Sequence, residues 1–400
     1  MGRNYAALGC PHLLMSRVAA LPVAALSVVV LAAVTALVLL PAQPGYAAEG
    51  EDIPADPVHL AIAAPMVGTS FTVGMQLSAG VAAALLSLPD GKLLGRDIRV
   101  TTHNDSCVSD IAERVALDLV QNPPDLVIGH SCSATTIAAA PIYAQHKVLQ
   151  ITPSSTNPQA TEMGIGTLFR MIGRDEVQVD MAVERIATKH AGQRLGILHF
   201  QTGYSRWITR RVIEGLRSRG IEPDVIVESG ASAISYIGEI QKLMAAGSEV
   251  VYLAGGALDS GVFMRQARQI GARFQVISSD TLVSYIFPET AGTAAEGVHF
   301  TFPSEAAELA TAATAVAAIQ QMGQQPVGYT LLTYAAVQTW IEGVRRASSF
   351  DAELVAAAIR RAPLQTILGS VTFDAKGDIK TSYPAFSWYT WKAGERVAID

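Results

Sequence analysis

From Val58 onward, short apolar runs alternate with longer amphipathic ones, and no other feature constrains the fold of this chain as strongly. VHLAIAAP, DIRVTTHN, DLVIGH, VLQIT, RLGILHF, DVIVES, EVVYLAGG and FQVISS read as buried strands rich in Val, Ile and Leu. Between them, GMQLSAGVAAALLSL, DIAERVALDLVQ, TTIAAAPIYAQH, EVQVDMAVERIATKHA, RWITRRVIEGLRSRG, YIGEIQKLMAAG and LDSGVFMRQARQIG read as helices. Parallel strands need crossovers, usually helical, and helices on both faces bury such strands completely, which gives continuous apolar runs. The fold class is therefore α/β with mostly parallel sheets. After Phe302 the pattern changes to two long helical stretches, EAAELATAATAVAAIQQMG and GYTLLTYAAVQTWIEGVRRA, and a third, DAELVAAAIRRA. A two-stranded ending is expected, GSVTFDAKGDIK turning at Ala375 to Gly377 and YPAFSWYTWKAG forming the last strand.

The amino terminus is different. Arg17 precedes an uncharged run from Val18 to Leu40, and the breaker-rich PAQPGYA follows. This is the layout of a secretory signal over residues 1–47, cut before Ala48 with small residues at Gly45 and Ala47; the run is also long enough to anchor the chain in a bilayer. Cleavage removes Arg3 and Arg17 and no acid, leaving 27 basic against 35 acidic residues, a net charge of −8 on 353 residues. No basic run remains, so neither nucleic acid nor an anionic membrane is an expected partner. A chain of this length argues for two lobes. Two of its three cysteines survive cleavage, Cys107 in HNDSCVSD and Cys132 in GHSCSATT. In an exported protein that even count reads as one disulfide; neither cysteine has the spacing of a metal site or a CxxC motif.

Several strands end in Gly, Ser, Thr, Asp or Asn just before a helix: PMVGTS, THNDS, GHSCS, ITPSST, FQTGYS, AGGALDS and ISSDT. Ligands of open parallel sheets bind outside the carboxyl ends of the strands, where helix N-termini present unpaired N–H groups. Helix capping is the plainer use of such residues. No nucleophile elbow, P-loop or complete GxGxxG occurs, and the histidines at 59, 103, 130, 146, 190, 199 and 299 show no metal-ligand spacing. An enzyme, a cofactor and a metal are therefore not expected. The edge suits a zwitterion instead. Hydroxyls and N–H groups at a helix N-terminus hold a carboxylate, and an ammonium wants carbonyls, hydroxyls and an acid. Asp280, after FQVISS, is the best-placed acid for that role or else an N-cap for the helix at Thr281.

VIGHSCSATTIAAAPIYAQHKVLQITPSSTNPQAT resembles the matching segment of the bacterial leucine/isoleucine/valine-binding proteins, the periplasmic components of branched-chain amino acid ABC transporters. PMVGTSFTVGMQ, LHFQTGYS, MRQARQIG, TYAAVQTW and VTFDAKGDIKTSYPAFSWYTW extend the likeness over nearly the whole mature chain. The resemblance implies a type I periplasmic binding protein fold: two α/β lobes joined by three crossovers and closing on a ligand. One lobe would comprise residues 48–173 plus 304–379, the other 174–303 plus 380–400. It implies that Cys107 pairs with Cys132, and that Ser133 and nearby N–H groups hold the carboxylate of an amino acid. Thr156 and the Ser154 carbonyl, in a loop shared with Ser155, would hold its α-amino group. Asp280 would neutralise that group, and Tyr204 would close over the ligand. Positions that line the side-chain pocket fall on Val73, Ser131 and Gly256, less bulky than in leucine binders, and on Tyr329, which keeps an aromatic wall, so the ligand implied is an amino acid that could be larger or more polar than leucine. The implied role is that of a monomeric periplasmic solute receptor for an inner-membrane ABC permease. A sensor of the same fold, or a binder of aromatic acids or amides, is the alternative.

Overall fold

The computed structural model describes residues 56–400 other than Thr69, Ser232, Ala233, Glu305 and Pro384, so the expected leader over residues 1–47 lies outside the described residues. The first βα series runs β1 (Val58–Ala64), α1 (Phe71–Leu85), β2 (Lys92–Leu93), β3 (Arg96–Asn104), α2 (Ser109–Leu119), β4 (Leu126–Gly129), α3 (Ser133–Gln145), β5 (Gln150–Thr152), α4 (Gln159–Glu162) and β6 (Leu168–Arg170). The second runs α5 (Asp175–Lys189), β7 (Leu195–Phe200), α6 (Gly203–Ser218), β8 (Val225–Ser229), α7 (Ile237–Ala245), β9 (Val250–Ala254), α8 (Ala257–Gln269), β10 (Gln275–Ser278), α9 (Ile286–Ala291) and β11 (His299–Phe302). Then come α10 (Ala313–Gln321), α11 (Thr330–Ala347), α12 (Ala352–Arg361), β12 (Leu364–Thr366), β13 (Gly369–Phe373), β14 (Ile379–Thr381), β15 (Ser387–Lys392) and β16 (Glu395–Ile399).

Two sheets carry the two lobes. The first has the order β2-β3-β1-β4-β5-β6 and is parallel except for the β2–β3 pair. The second has the order β16-β15-β11-β10-β9-β7-β8 and is parallel from β11 to β8. Every residue of β1, β4 and β9 is buried, as a sheet covered on both faces requires. A small antiparallel sheet, β12-β13-β14, joins the first through a bridge between Arg170 and Asp378. The chain passes between the large sheets three times, after β6, β11 and β14. Among the described residues no helix is long and apolar enough to cross a membrane.

Apolar burial holds the lobes together. Trp340 on α11 is fully buried, and burying a side chain of that kind contributes about 1.5–3 kcal/mol. Helix α1 lies so close to α11 at Gly80 that a Cβ there would run into the Thr330 carbonyl and the Thr333 side chain. Cys107 and Cys132 form a disulfide with 5.6 Å between Cα atoms, tying the β3–α2 loop to the start of α3. Its 25-residue separation corresponds to about 3–4 kcal/mol on the chain-entropy estimate.

Two expectations are corrected. The first long helical stretch after Phe302 is broken: short 3-10 turns at Ala306–Glu308 and Ala310–Ala312 precede α10, and Leu309 between them is extended. Leu309 packs against the core there, so tertiary burial overrides the helix propensity of the alanine-rich run. The chain also ends on more than two strands. Beside β13, β14 and β15 there are β12 and β16, and β16 turns back at Ala393 and Gly394, both at positive φ as a two-residue hairpin turn needs.

Candidate ligand-binding site

The site is built where β4, β5 and β10 end. Strand β4 stops at Gly129, three residues intervene, and α3 starts at Ser133. The first backbone N–H of α3 with an intrahelical partner is that of Thr136, bonded to the Cys132 carbonyl at 2.9 Å, so the N–H groups before it remain available. No acidic residue occupies the first turn of α3, which leaves its positive dipole end uncompensated. Ser133 sits there, buried, its Oγ accepting the Asn157 N–H at 3.2 Å.

The loop after β5 folds against this turn through hydroxyls. Ser154 Oγ donates to the Ser131 carbonyl at 2.9 Å. Ser155 is fully buried, with Oγ 2.7 Å from Thr136 Oγ1 and 3.1 Å from the His130 carbonyl, so its hydroxyl serves the loop. Thr156 turns the other way. Its carbonyl accepts the Asp175 N–H at 2.9 Å, and its hydroxyl lies against the Asp175 carboxyl group. The guanidinium of Arg170, also fully buried, holds the loop from below by donating to the carbonyls of Asn157 at 2.7 Å and Ser155 at 3.3 Å. Its Nε bonds Asp378 Oδ1 at 2.8 Å, and Arg174 reaches Asp378 Oδ2 at 2.8 Å. Burial works to raise the Asp378 carboxyl, but the two arginines outweigh it and hold the group below the usual carboxylate range.

The second lobe supplies acid. Asp280 is the first residue of a short 3-10 turn, Asp280–Val283, whose N-cap position falls on Ser279 instead. The carboxylate instead receives the Tyr204 hydroxyl on Oδ1 at 2.6 Å and the Tyr329 hydroxyl on Oδ2 at 3.2 Å. Tyr329 stands at the N-terminus of α11, and Thr72 of α1 lies 3.3 Å from Ser284 by their hydroxyl oxygens; at these two points α1 and α11 touch the segment that follows β10. Gln178 ties the acid further. Its Oε1 accepts the Asp280 N–H at 3.0 Å and its Nε2 donates to Asp175 Oδ1 at 2.8 Å. Burial raises the Asp280 carboxyl, and the bonds from Tyr204, Gln178 and Tyr329 only partly offset it. Asp175 is pushed up to about 8, first by burial and then by Asp280. The hydroxyls of Tyr204, Tyr252 and Tyr329 are raised by burial and by these acids, so they remain donors.

Thr156, Tyr204, Asp280 and Tyr329 are thus linked through Asp175 and Gln178, and Ser133 is tied to the same loop through the Asn157 N–H. Val73 is half-buried against the core, Ser131 is buried beside the disulfide, and Gly256 is exposed, with open space where a side chain would project. His130 is fully buried between Asp105 at 2.7 Å and Tyr143 at 3.0 Å, a packing role. Asp175 and Gln178 escape a sequence reading because an acid in the first turn of a helix looks like ordinary dipole compensation. Among the described residues no cluster of His, Cys, Asp and Glu is arranged to hold a metal. A cavity of about 440 Å³ opens at the hinge, between Met171, Pro303, Leu332 and Tyr383, and shares no residue with this cleft.

Residues 57–390 match a family model described as a periplasmic binding protein. The Leu/Ile/Val-binding protein homolog 1 of Brucella abortus is 32% identical over 345 residues, covering 84% of this chain and 91% of that protein. A leucine-, isoleucine-, valine-, threonine- and alanine-binding protein of Pseudomonas aeruginosa is 30% identical over 338 residues, covering 84% and 91%. The solved structure of a leucine binding protein from Thermotoga maritima shares the fold with a TM-score of 0.78 at 23% identity, covering 86% of this chain and 98% of that one.

Proposed function

The chain belongs to the periplasmic binding protein family, and from that premise we propose that it captures an amino acid between its lobes and presents it to an inner-membrane ABC permease. The lobes that close are residues 48–173 with 304–379, and residues 174–303 with 380–400. Export through the leader over residues 1–47 would place it in the periplasm as a monomeric carrier without catalytic turnover. One observation carries the reading: the uncompensated N-terminus of α3 on one side of the cleft and the buried Asp280 on the other, which has hydroxyls and an amide as partners but no cation. These are the two halves of a receptor for a zwitterion. The carboxylate takes Ser133 and the α3 N–H groups. The ammonium takes Thr156, Asp280 and the Ser154 carbonyl, which accepts no hydrogen bond among the described residues. Charged hydrogen bonds contribute about 1.5–3 kcal/mol each, so four or five reach micromolar affinity, about −8 kcal/mol, after binding costs. The open space at Gly256 supports a branched-chain amino acid or a larger, more polar relative.

A thermal-shift panel of amino acids, aromatic acids and amides tests this, because a ligand of the native state raises apparent stability. Amino acids are expected to raise the melting temperature. Shifts from aromatic acids or amides alone would overturn the assignment.

A further inference from the structure

Two buried acids stand in this cleft, and the zwitterion reading uses only one of them. Asp280 has both oxygens occupied by tyrosine hydroxyls. Asp175 has Oδ1 on Gln178 and the Thr156 hydroxyl lying against its carboxyl group, while Oδ2, buried, is within hydrogen-bonding geometry of no donor among the described residues. The Gln178 amide spans the two acids, one end on the Asp175 carboxylate and the other on the Asp280 N–H. Asp175 is itself fully buried, so its unmet acceptor has no bulk water to turn to.

Among the described residues no cation is hydrogen-bonded to either acid of the pair. From α6, β9 and α11 it faces the hydroxyls of Tyr204, Tyr252 and Tyr329, which stay protonated. From the β5 loop it faces Thr156, and from β6 the positive charge of Arg170. That guanidinium is already committed to Asp378 and to the carbonyls of Ser155 and Asn157. Arg174, next in the chain to Asp175, is committed to Glu162, Glu176 and Asp378. Two buried carboxylates tied to one glutamine and repelling each other do not both ionise readily without a bonded cation.

We propose that Asp175 is the second carboxylate of the cation site: in the free protein it shares one proton with Asp280, and the ligand ammonium displaces that proton into solvent. The inference rests on the zwitterion reading and extends it, making capture a proton-for-cation exchange. The carboxyl value of about 8 for Asp175 agrees with a proton retained at neutral pH. Amino acid affinity then rises with pH up to about 8 and levels off, tenfold per unit where one full proton leaves.

Two measurements test it. Carbon-detected NMR of the aspartate side-chain carboxyls, on protein refolded to remove bound solute, should show one group titrating near pH 8, and the Asp175→Asn protein should lack it. If every aspartate carboxyl titrates below about pH 6, the shared proton is overturned. Calorimetry with L-leucine at pH 7, in phosphate and in HEPES, should report about one proton released per leucine bound and close to none for Asp175→Asn. Leucine binding with no proton release would overturn the exchange. If no amino acid binds at all, the functional reading and the exchange fall together. The shared proton then still stands or falls with the NMR titration.

Discussion

The chain buries acid in two places and treats it oppositely. Asp378, at the hinge, is met by two guanidinium groups and the Thr161 hydroxyl, and its carboxyl is held low. Asp175 and Asp280, in the cleft, are met by hydroxyls and one amide, and their carboxyls are held high. Among the described residues the hinge acid is bonded to cations, and the two cleft acids are bonded to none. A buried acid without a cation costs stability, so its presence marks the place where an external cation belongs.

The contrast can be broken most forcefully at the hinge. Arg170→Ala leaves Asp378 with Arg174 and Thr161 only and releases the Ser155 and Asn157 carbonyls in the interior, so urea denaturation should show a loss of about 3–5 kcal/mol. The cleft should behave otherwise. Asp280→Ala should weaken amino acid binding by about 1.5–3 kcal/mol in calorimetry while leaving the fold as stable as before or more so; unchanged affinity would return Asp280 to a purely structural role.

The two places also predict opposite pH arms in the stability of the free protein. Asp378, with its carboxyl lowered on folding, contributes stability that is present above about pH 4 and lost as pH falls through its folded value. Asp175, raised to about 8, keeps a proton that the unfolded chain has lost. Its contribution to stability is therefore present in acid, declines as pH rises from the ordinary carboxylate range toward about 8, and is level above. Denaturation curves for Asp175→Asn should lose the upper slope and keep the acid one. The smallest effect belongs to Thr156→Val, which removes one hydroxyl from the ammonium site and should cost about 0.5–1.5 kcal/mol of affinity.

How far the sequence carried depended on the kind of signal. Buried parallel strands are nearly all apolar, so β1, β4 and β9 stand out by composition alone. Strand β16 does not, because ERVAI forms an exposed edge and its two-residue turn resembles any loop containing glycine. The alanine-rich crossing after β11 reads as one helix because local propensity is blind to Leu309 needing the core. In the site, hydroxyls at strand ends and Asp280 could be picked out in advance, most specifically through family resemblance. The bond from Asp280 to Gln178, 102 residues away in the chain, could not, nor could the way it draws Asp175 into the cleft.

On the proposed reading, the ammonium group of the ligand completes the two buried carboxylates of the cleft. Calorimetric titration of the strongest-binding amino acid of the panel, against the same molecule without its amino group, tests this most directly. The amino acid is expected to bind on the order of 100-fold tighter or more, since the deaminated acid brings no positive charge to the buried acids. Equal affinity for the two would contradict it.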